Sequence, residues 1–212
     1  MIIAVGATHK ISIFYSCKLH NDAHIAPLLF EGDDSLAFSI RRRFSRFQSE
    51  TLSEFYLHIQ PLLDNEQVQS MENYIQHNCY SRLSHSLDVA YYSFFIAKLL
   101  GWDSGSAARG GLLHDLYLYD RREDEESNKG HLRNHPKIAL ENARKICDLN
   151  KIEENIIRRH MWLITLTPPR YKEGFIVTFV DKYCALREAL IGIRNRKRQA
   201  LPQPEPVTQT LT

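Results

Sequence analysis

Five apolar, helix-patterned segments of this chain carry a histidine or an aspartate where a core side chain belongs, and this pattern limits the fold more than any other feature. His85 sits in "SRLSHSLDVAYYSFFIAKLLG", His114 and Asp115 close "AARGGLLHDLY", and His135 opens "NHPKIALENA". His160 lies in "IIRRHMW" and Asp181 in "FVDKYCALREA". A buried ionised carboxylate is costly unless something compensates its charge. One core histidine bonded to a backbone carbonyl is ordinary, but six such groups on five apolar helices call for a shared cause. Side chains from facing helices converge inside a bundle, and imidazole with carboxylate is the ligand set of divalent zinc, manganese, iron and cobalt. A bound cation would compensate Asp115, and adjacency would let His114 and Asp115 reach one cluster from slightly different directions.

The surrounding pattern predicts an all-α domain over residues 65–192. From Ser81 to Leu100 apolar residues occupy nearly every face, with Leu83, Leu87, Ala90, Phe94 and Ala97 on one and Val89, Tyr92, Ile96 and Leu99 on another, so this helix is central. Gly101 stops it, and Asp103 or Ser104 caps the next helix. Adjacent glycines inside a helix cost roughly 1 kcal/mol each relative to alanine, so Gly110 and Gly111 predict a close approach by a neighbouring backbone. Upstream, "TLSEFYLHIQPLLDNEQVQSMENYIQHNCY" reads as helical, with a break at Pro61 and "DNE". "DRREDEESNKGHLRN" reads as an exposed loop or flap, with Asn134 as the N-cap of the helix that follows. "KIEENIIRRHMWLI" and "YKEGFIVTFVDKYCALREALIGI" read as further helices. Residues 1–64 are expected to form a small N-terminal region with short strands and then a helix whose "RRRFSRF" is a solvated face; 193–212 is expected to be a basic, proline-containing disordered tail.

Composition narrows the partners. With 27 Lys and Arg against 25 Asp and Glu, the net charge of +2 gives no whole-chain argument for nucleic acid or membrane binding, and no clear nucleic-acid patch stands out. Cys17, Cys79, Cys147 and Cys184 form no C-x-x-C pair, which suits reduced thiols. The start lacks the pattern of a signal peptide, and no window has ~18 uninterrupted apolar residues, so a cytoplasmic location is expected.

The order His85, His114-Asp115, His135, His160, Asp181, with the segments quoted above, resembles the HD-domain superfamily of metal-dependent phosphohydrolases over about Tyr80 to Ala189. The resemblance implies a helical bundle in which His85, His114 and Asp181 bind one divalent ion, His135 and His160 bind another, and Asp115 bridges them. His135 and His160 are similar to the extra histidines of the two-metal subset, which includes cyclic-dinucleotide phosphodiesterases, dinucleotide polyphosphate hydrolases and di-iron oxygenases. Where many members continue the doublet as "HDIGK" this chain has "HDLYLY", and the "GYP" segment of the cyclic-dinucleotide enzymes is absent.

Two divalent ions (Fe, Mn, Co, Ni or Zn) about 3.5 to 4 Å apart can share a hydroxide and hold a phosphoryl oxygen for in-line attack, with no protein nucleophile. The implied activity is hydrolysis of a nucleotide or another small phosphate ester, with Asp115 as the catalytic carboxylate. Arg109, Lys129, Arg133, Lys137 and Lys182 lie near the motif residues in sequence and are the candidates for binding the anionic substrate. Asp88, one turn beyond His85, can hydrogen-bond a ligand imidazole or make an ordinary polar contact. His131 borders the flap. The same six residues would also serve a di-iron oxygenase or a non-catalytic, metal-containing signalling or interaction module.

Overall fold

The computed structural model describes residues 50–77, 80–120 and 130–199, so the expectations for 1–49, for most of the charged loop and for the last residues fall outside it. The elements run α1 (50–63), α2 (Glu66–Ser70), a 3-10 turn (Met71–Asn73), β1 (Ile75–His77), β2 (Tyr80–Ser81), α3 (Arg82–Leu99), α4 (Ser104–Leu113), α5 (His131–Ile146), α6 (Lys151–Arg159) and α7 (Lys172–Gln199). The two strands form a small antiparallel hairpin, and the other regular elements among the described residues are helices.

α3 is the central helix that its apolar sequence predicts. Leu83, Leu87, Ala90 and Phe94 join a core with Phe55, Ile59, Leu62 and Leu63 of α1 and with Leu112 and Leu113 of α4. From its other side, Val89 and Ala97 join Ile156 of α6 and Ile176, Val177 and Val180 of α7. The second face is only partly covered, since Ile96 and Leu99 are exposed. α3 starts where the Ser81 hydroxyl accepts from the Ser84 amide at 3.0 Å, and it ends at Gly101 with φ +66°. Asp103 caps α4 by accepting from the Ser106 amide at 2.8 Å. Asn150 and Glu153 form a capping box at the start of α6.

The paired glycines act as expected. A Cβ on Gly111 would lie 2.9 Å from the Ala90 Cα, and one on Gly110 would lie 2.8 Å from the Ile156 side chain. α4 therefore crosses α3 backbone to backbone while also seating α6. That approach brings the first turns of α3 and the C-terminal end of α4 within reach of each other.

Several sequence expectations shift. α1 continues through Pro61 to residue 63, because a proline in the last turn forfeits only one intrahelical bond, and the turn comes at 64–65. Since α1 supplies Phe55, Ile59, Leu62 and Leu63 to the main core, the packed unit begins before residue 65. Ile75–His77 and Tyr80–Ser81 are paired strands rather than helix. α5 begins at His131 with Gly130 (φ +80°) as its N-cap, so Asn134 is inside the helix and Pro136 lies in its second turn. α6 ends at Arg159, leaving His160 as its C-cap. α7 runs past Gly192 to Gln199, since the Arg- and Lys-rich stretch favours helix and suits the negative C-terminal end of the helix dipole. Cys147 and Cys184 carry free thiols. Among the described residues no helix is long and apolar enough to cross a membrane.

Gly111→Ala tests the crossing. The methyl gains about 1 kcal/mol in helix propensity but must push α4 off the Ala90 backbone, and overpacking of a tight contact costs about 1–3 kcal/mol. A net loss of stability in urea denaturation is expected; an unchanged or raised midpoint would show that the helices do not cross here.

Candidate metal centre

His85 occupies the first turn of α3 with no solvent exposure. Its Nδ1 lies 3.0 and 3.1 Å from the two carboxylate oxygens of Glu188, and its Nε2 lies 3.1 Å from Asp181 Oδ1. Asp181 and Glu188 are two turns apart on the same face of α7, so one helix grips both ring nitrogens. Burial alone would lower the His85 pKa, yet the hydrogen bonds and charges of Asp181 and Glu188 raise it to about 10. Without another cation nearby, this ring is held as an imidazolium.

The other three histidines share one local solution. His114 is the C-cap of α4 and its Nδ1 lies 2.7 Å from the Gly111 carbonyl; His160 is the C-cap of α6 and its Nδ1 lies 2.9 Å from the Ile157 carbonyl. His135 Nδ1 lies 2.9 Å from the His131 carbonyl one turn back in α5. A carbonyl only accepts, so each Nδ1 carries the hydrogen and each Nε2 presents a lone pair. At the two C-caps the ring N–H also satisfies one of the carbonyls that a helix end leaves unpaired. Helix termination and ligand aiming are thus a single interaction.

The three lone pairs converge on Asp115. His114 Nε2 is 3.4 Å from Asp115 Oδ2 and 3.8 Å from Asp181 Oδ1. On the other side, His135 and His160 Nε2 lie 3.3 and 3.5 Å from Asp115 Oδ1. They stand only 2.9 Å from each other, although each Nδ1 already donates elsewhere. His114 Nε2 and Asp115 Oδ1 are buried without a hydrogen-bond partner. Buried polar atoms left so are rare in native proteins, and an ion is one of the standard reasons. His85, His114 and Asp181 form one buried group with ligand atoms within 4.8 Å of one another, and His114, Asp115 and His160 form a second. The donor set therefore fits a divalent cation, and a positive charge here would relieve the facing lone pairs.

Despite burial, the nearby histidines hold Asp115 well below the usual carboxylate range, and His114, His85 and Lys182 do the same for Asp181. Burial and the charges of His114 and His135 push His160 down to about 3. Burial opposes protonation of His114 too, but Asp115 and Asp181 raise it.

The basic candidates separate. Lys182 belongs to the site, with Nζ 2.5 Å from Asp181 Oδ2, 3.7 Å from Met161 Sδ and its side chain one-third exposed. Arg109 does not belong to it: Nε bonds Glu153 at 2.7 Å and Nη2 bonds the Asp148 carbonyl, tying α4 to the start of α6. Arg133 and Lys137 are exposed on α5. Each is two residues from His135, which on a helix turns a side chain about 200° away. Lys129 lies outside the described residues. Asp88 faces Arg187 at 3.5 Å, and Glu188 instead holds the His85 ring.

Sequence reasoning missed other residues around the site. His131, read as bordering a flap, is buried, stacks on His135 at 4.7 Å and shares a 2.9 Å hydrogen bond with the Tyr119 hydroxyl. Gln76 of β1 donates to Asp115 Oδ2 at 2.6 Å. Arg82 is 1% exposed beneath the hairpin. The spacing of Asp181 and Glu188 was the available signal for Glu188; a glutamine in a two-strand hairpin gave none.

The family model of the HD domain matches residues 82–186. Ribonuclease Y from Thermotoga petrophila, from Thermotoga sp. strain RQ2 and from Thermotoga maritima is in each case 32% identical over 105 residues, covering 50% of this chain and 18% of the relative. The chain thus spans less than a fifth of the length of these relatives. No solved structure matches it significantly.

Two outcomes follow. Divalent metal added to chelator-stripped protein at 100 times its Kd adds about 2.7 kcal/mol of stability. A Tm rise of roughly 5–10 °C is expected, since 1 kcal/mol is worth about 2–4 °C at this size. Absence of any shift with Mn, Fe, Co, Ni or Zn would contradict the cation fit. For the metal-free protein, the lowered Asp115, Asp181 and His160 values mean that the unfolded chain binds more protons at acid pH. The raised His85 reverses this at alkaline pH. Stability therefore climbs as pH rises from about 3 to the ordinary histidine value near 6.5, and the His85 contribution is lost between 6.5 and about 10. Thermal melts across this range should give a bell, and metal should flatten its alkaline limb.

Proposed function

This chain belongs to the HD-domain superfamily, with residues 82–186 as its HD domain, and from that premise we propose that it is a metal-dependent phosphohydrolase that opens a phosphate ester of a nucleotide or an internucleotide linkage. The observation that carries the proposal is the inward convergence of His114, His135 and His160 Nε2 around Asp115, with buried atoms unpartnered. His85, His114 and Asp181 would hold one ion and His135 and His160 a second. Asp115 would bridge them, with Oδ2 toward His114 and Oδ1 toward His135 and His160. Such ions, when bound, lower the pKa of a water and neutralise phosphoryl oxygens.

The chain's own residues supply the rest. Asp115 stays ionised, which suits it to hold an ion and to orient an attacking water; as a proton acceptor it is weak unless that water is itself acidified. Glu188 fixes the His85 ring, as carboxylates commonly do for ligating histidines. Lys182 stands at the partly exposed edge, where its ammonium can meet a phosphoryl oxygen. The likeness to enzymes named as ribonucleases favours a nucleotide-type ester over other phosphates.

The test is a screen of nucleotides, dinucleotide polyphosphates, short oligoribonucleotides and generic phosphate diesters, with Mn, Fe, Co, Ni or Zn supplied. Asp115→Asn should lower kcat by about 10²–10⁴-fold, the usual worth of a positioned proton acceptor. Lys182→Ala should lower kcat/KM by about 10- to 100-fold, the loss of one charge-assisted hydrogen bond. No phosphate release from any of these compounds would overturn the proposal, and metal-dependent oxygen uptake in its place would assign the site to oxygenase chemistry.

A further inference from the structure

The geometry points to Gln76 as a positioning residue that sets the orientation of Asp115, an inference that rests on the metal-centre reading above. Gln76 precedes the span matched by the HD family. In the hairpin, Ile75 pairs with Ser81 and His77 with Tyr80, so two residues of β1 oppose one of β2 and Gln76 is the extra residue of a bulge. Bulges re-aim a side chain and are frequent beside active sites. Here the Gln76 Nε2–H reaches across to donate to Asp115 Oδ2 at 2.6 Å.

The direction of that hydrogen bond is not interchangeable. Gln76 Oε1 accepts from Arg82 Nε at 3.1 Å and from the Tyr117 hydroxyl at 3.1 Å. Arg82 can only donate, so the amide oxygen must face it and the amide nitrogen must face Asp115. Arg82 is itself fixed: it is buried, it donates to the Tyr117 and Tyr119 carbonyls, and its guanidinium lies 3.6 Å from the centre of the Tyr117 ring. A rigid cation thereby locks a neutral amide, and the amide locks the carboxylate.

The consequence lies in which oxygen faces which set of imidazoles. Held at Oδ2, Asp115 keeps that oxygen toward His114 and Oδ1 toward His135 and His160. A carboxylate oxygen has two lone pairs, so Gln76 leaves one on Oδ2 and both on Oδ1 for other partners. Because the donor is uncharged, it holds the carboxylate without competing electrostatically with a cation. A lysine in its place would compete.

The test is a double-mutant cycle read by Co²⁺ binding to the chelator-stripped full chain, using calorimetry and the visible Co²⁺ spectrum, with metal-free Tm as the check on folding. Gln76→Met keeps the side-chain length and removes the hydrogen bonds. It should weaken Co²⁺ binding about 10- to 100-fold, as loss of an outer-shell partner does, and change the spectrum. In an Asp115→Asn background the same substitution should change the affinity less than about twofold, because its effect is transmitted through Asp115. Tyr117→Phe loosens the amide but keeps the donor; it should weaken binding about 2- to 10-fold, one neutral hydrogen bond's worth, and it decides the matter if Gln76→Met does not fold. Equal weakening in both backgrounds, or unchanged affinity and spectrum in Gln76→Met, overturns the inference. If Asp115→Asn weakens Co²⁺ binding while Gln76→Met does not, only this inference falls. If the unmutated chain binds no Co²⁺, or Asp115→Asn changes nothing, the metal-centre reading falls and this goes with it.

Discussion

Imidazole lone pairs and carboxylates that face one another in a dry interior repel unless positive charge lies between them, and the rest of this structure is arranged around that constraint. His85, His114, His135 and His160 are all essentially inaccessible, as are Asp115 and Asp181. Protons relieve the conflict only in part. His85 can keep one between Asp181 and Glu188, whereas His160 is driven to the neutral form by its neighbours. Bound divalent charge would relieve the rest of the conflict.

The scaffold enforces the conflict by ordinary means. Helices α4 and α6 both stop on a histidine whose ring N–H returns to its own helix's last turn. Chain termination therefore aims Nε2 forward without a dedicated supporting side chain. Gly111 allows α3 and α4 to meet at the backbone, which sets the His85 and His114 ring centres 5.6 Å apart. α7 then adds Asp181 and Glu188 against His85, and the bulged hairpin adds Gln76 against Asp115. The two groups that orient ligands from outside, Gln76 and Glu188, both lie beyond the span matched by the HD family.

Much of this was legible in the sequence because it rests on periodicity. The apolar faces of α3 identified it as central, the glycine pair announced the crossing, and ionisable residues out of place in apolar runs named the residues that the fold gathers. What escaped depends on contacts that periodicity does not encode. The two-turn spacing of Glu188 from Asp181 marks a shared helix face but not the contact with His85 that buries it to 1% exposure. Gln76 acquires its role only because a bulge breaks the alternation of a very short strand. His131, beside the flap in sequence, stacks on His135 because α5 starts at His131 rather than at Asn134. Proximity along the chain misled in the opposite direction: Arg109 is five residues from His114 but pairs with Glu153, while Lys182 earns its place through Asp181.

Whatever positive charge sits among these side chains can be located directly. Crystals of protein purified without chelators, with diffraction recorded on either side of the absorption edges of the first-row metals, would show it. Anomalous density is expected in contact with His135, His160 and Asp115 Oδ1, with a second peak against His85, His114 and Asp181. Well-ordered side chains in this arrangement with only water between them, in protein never exposed to chelator, would contradict it.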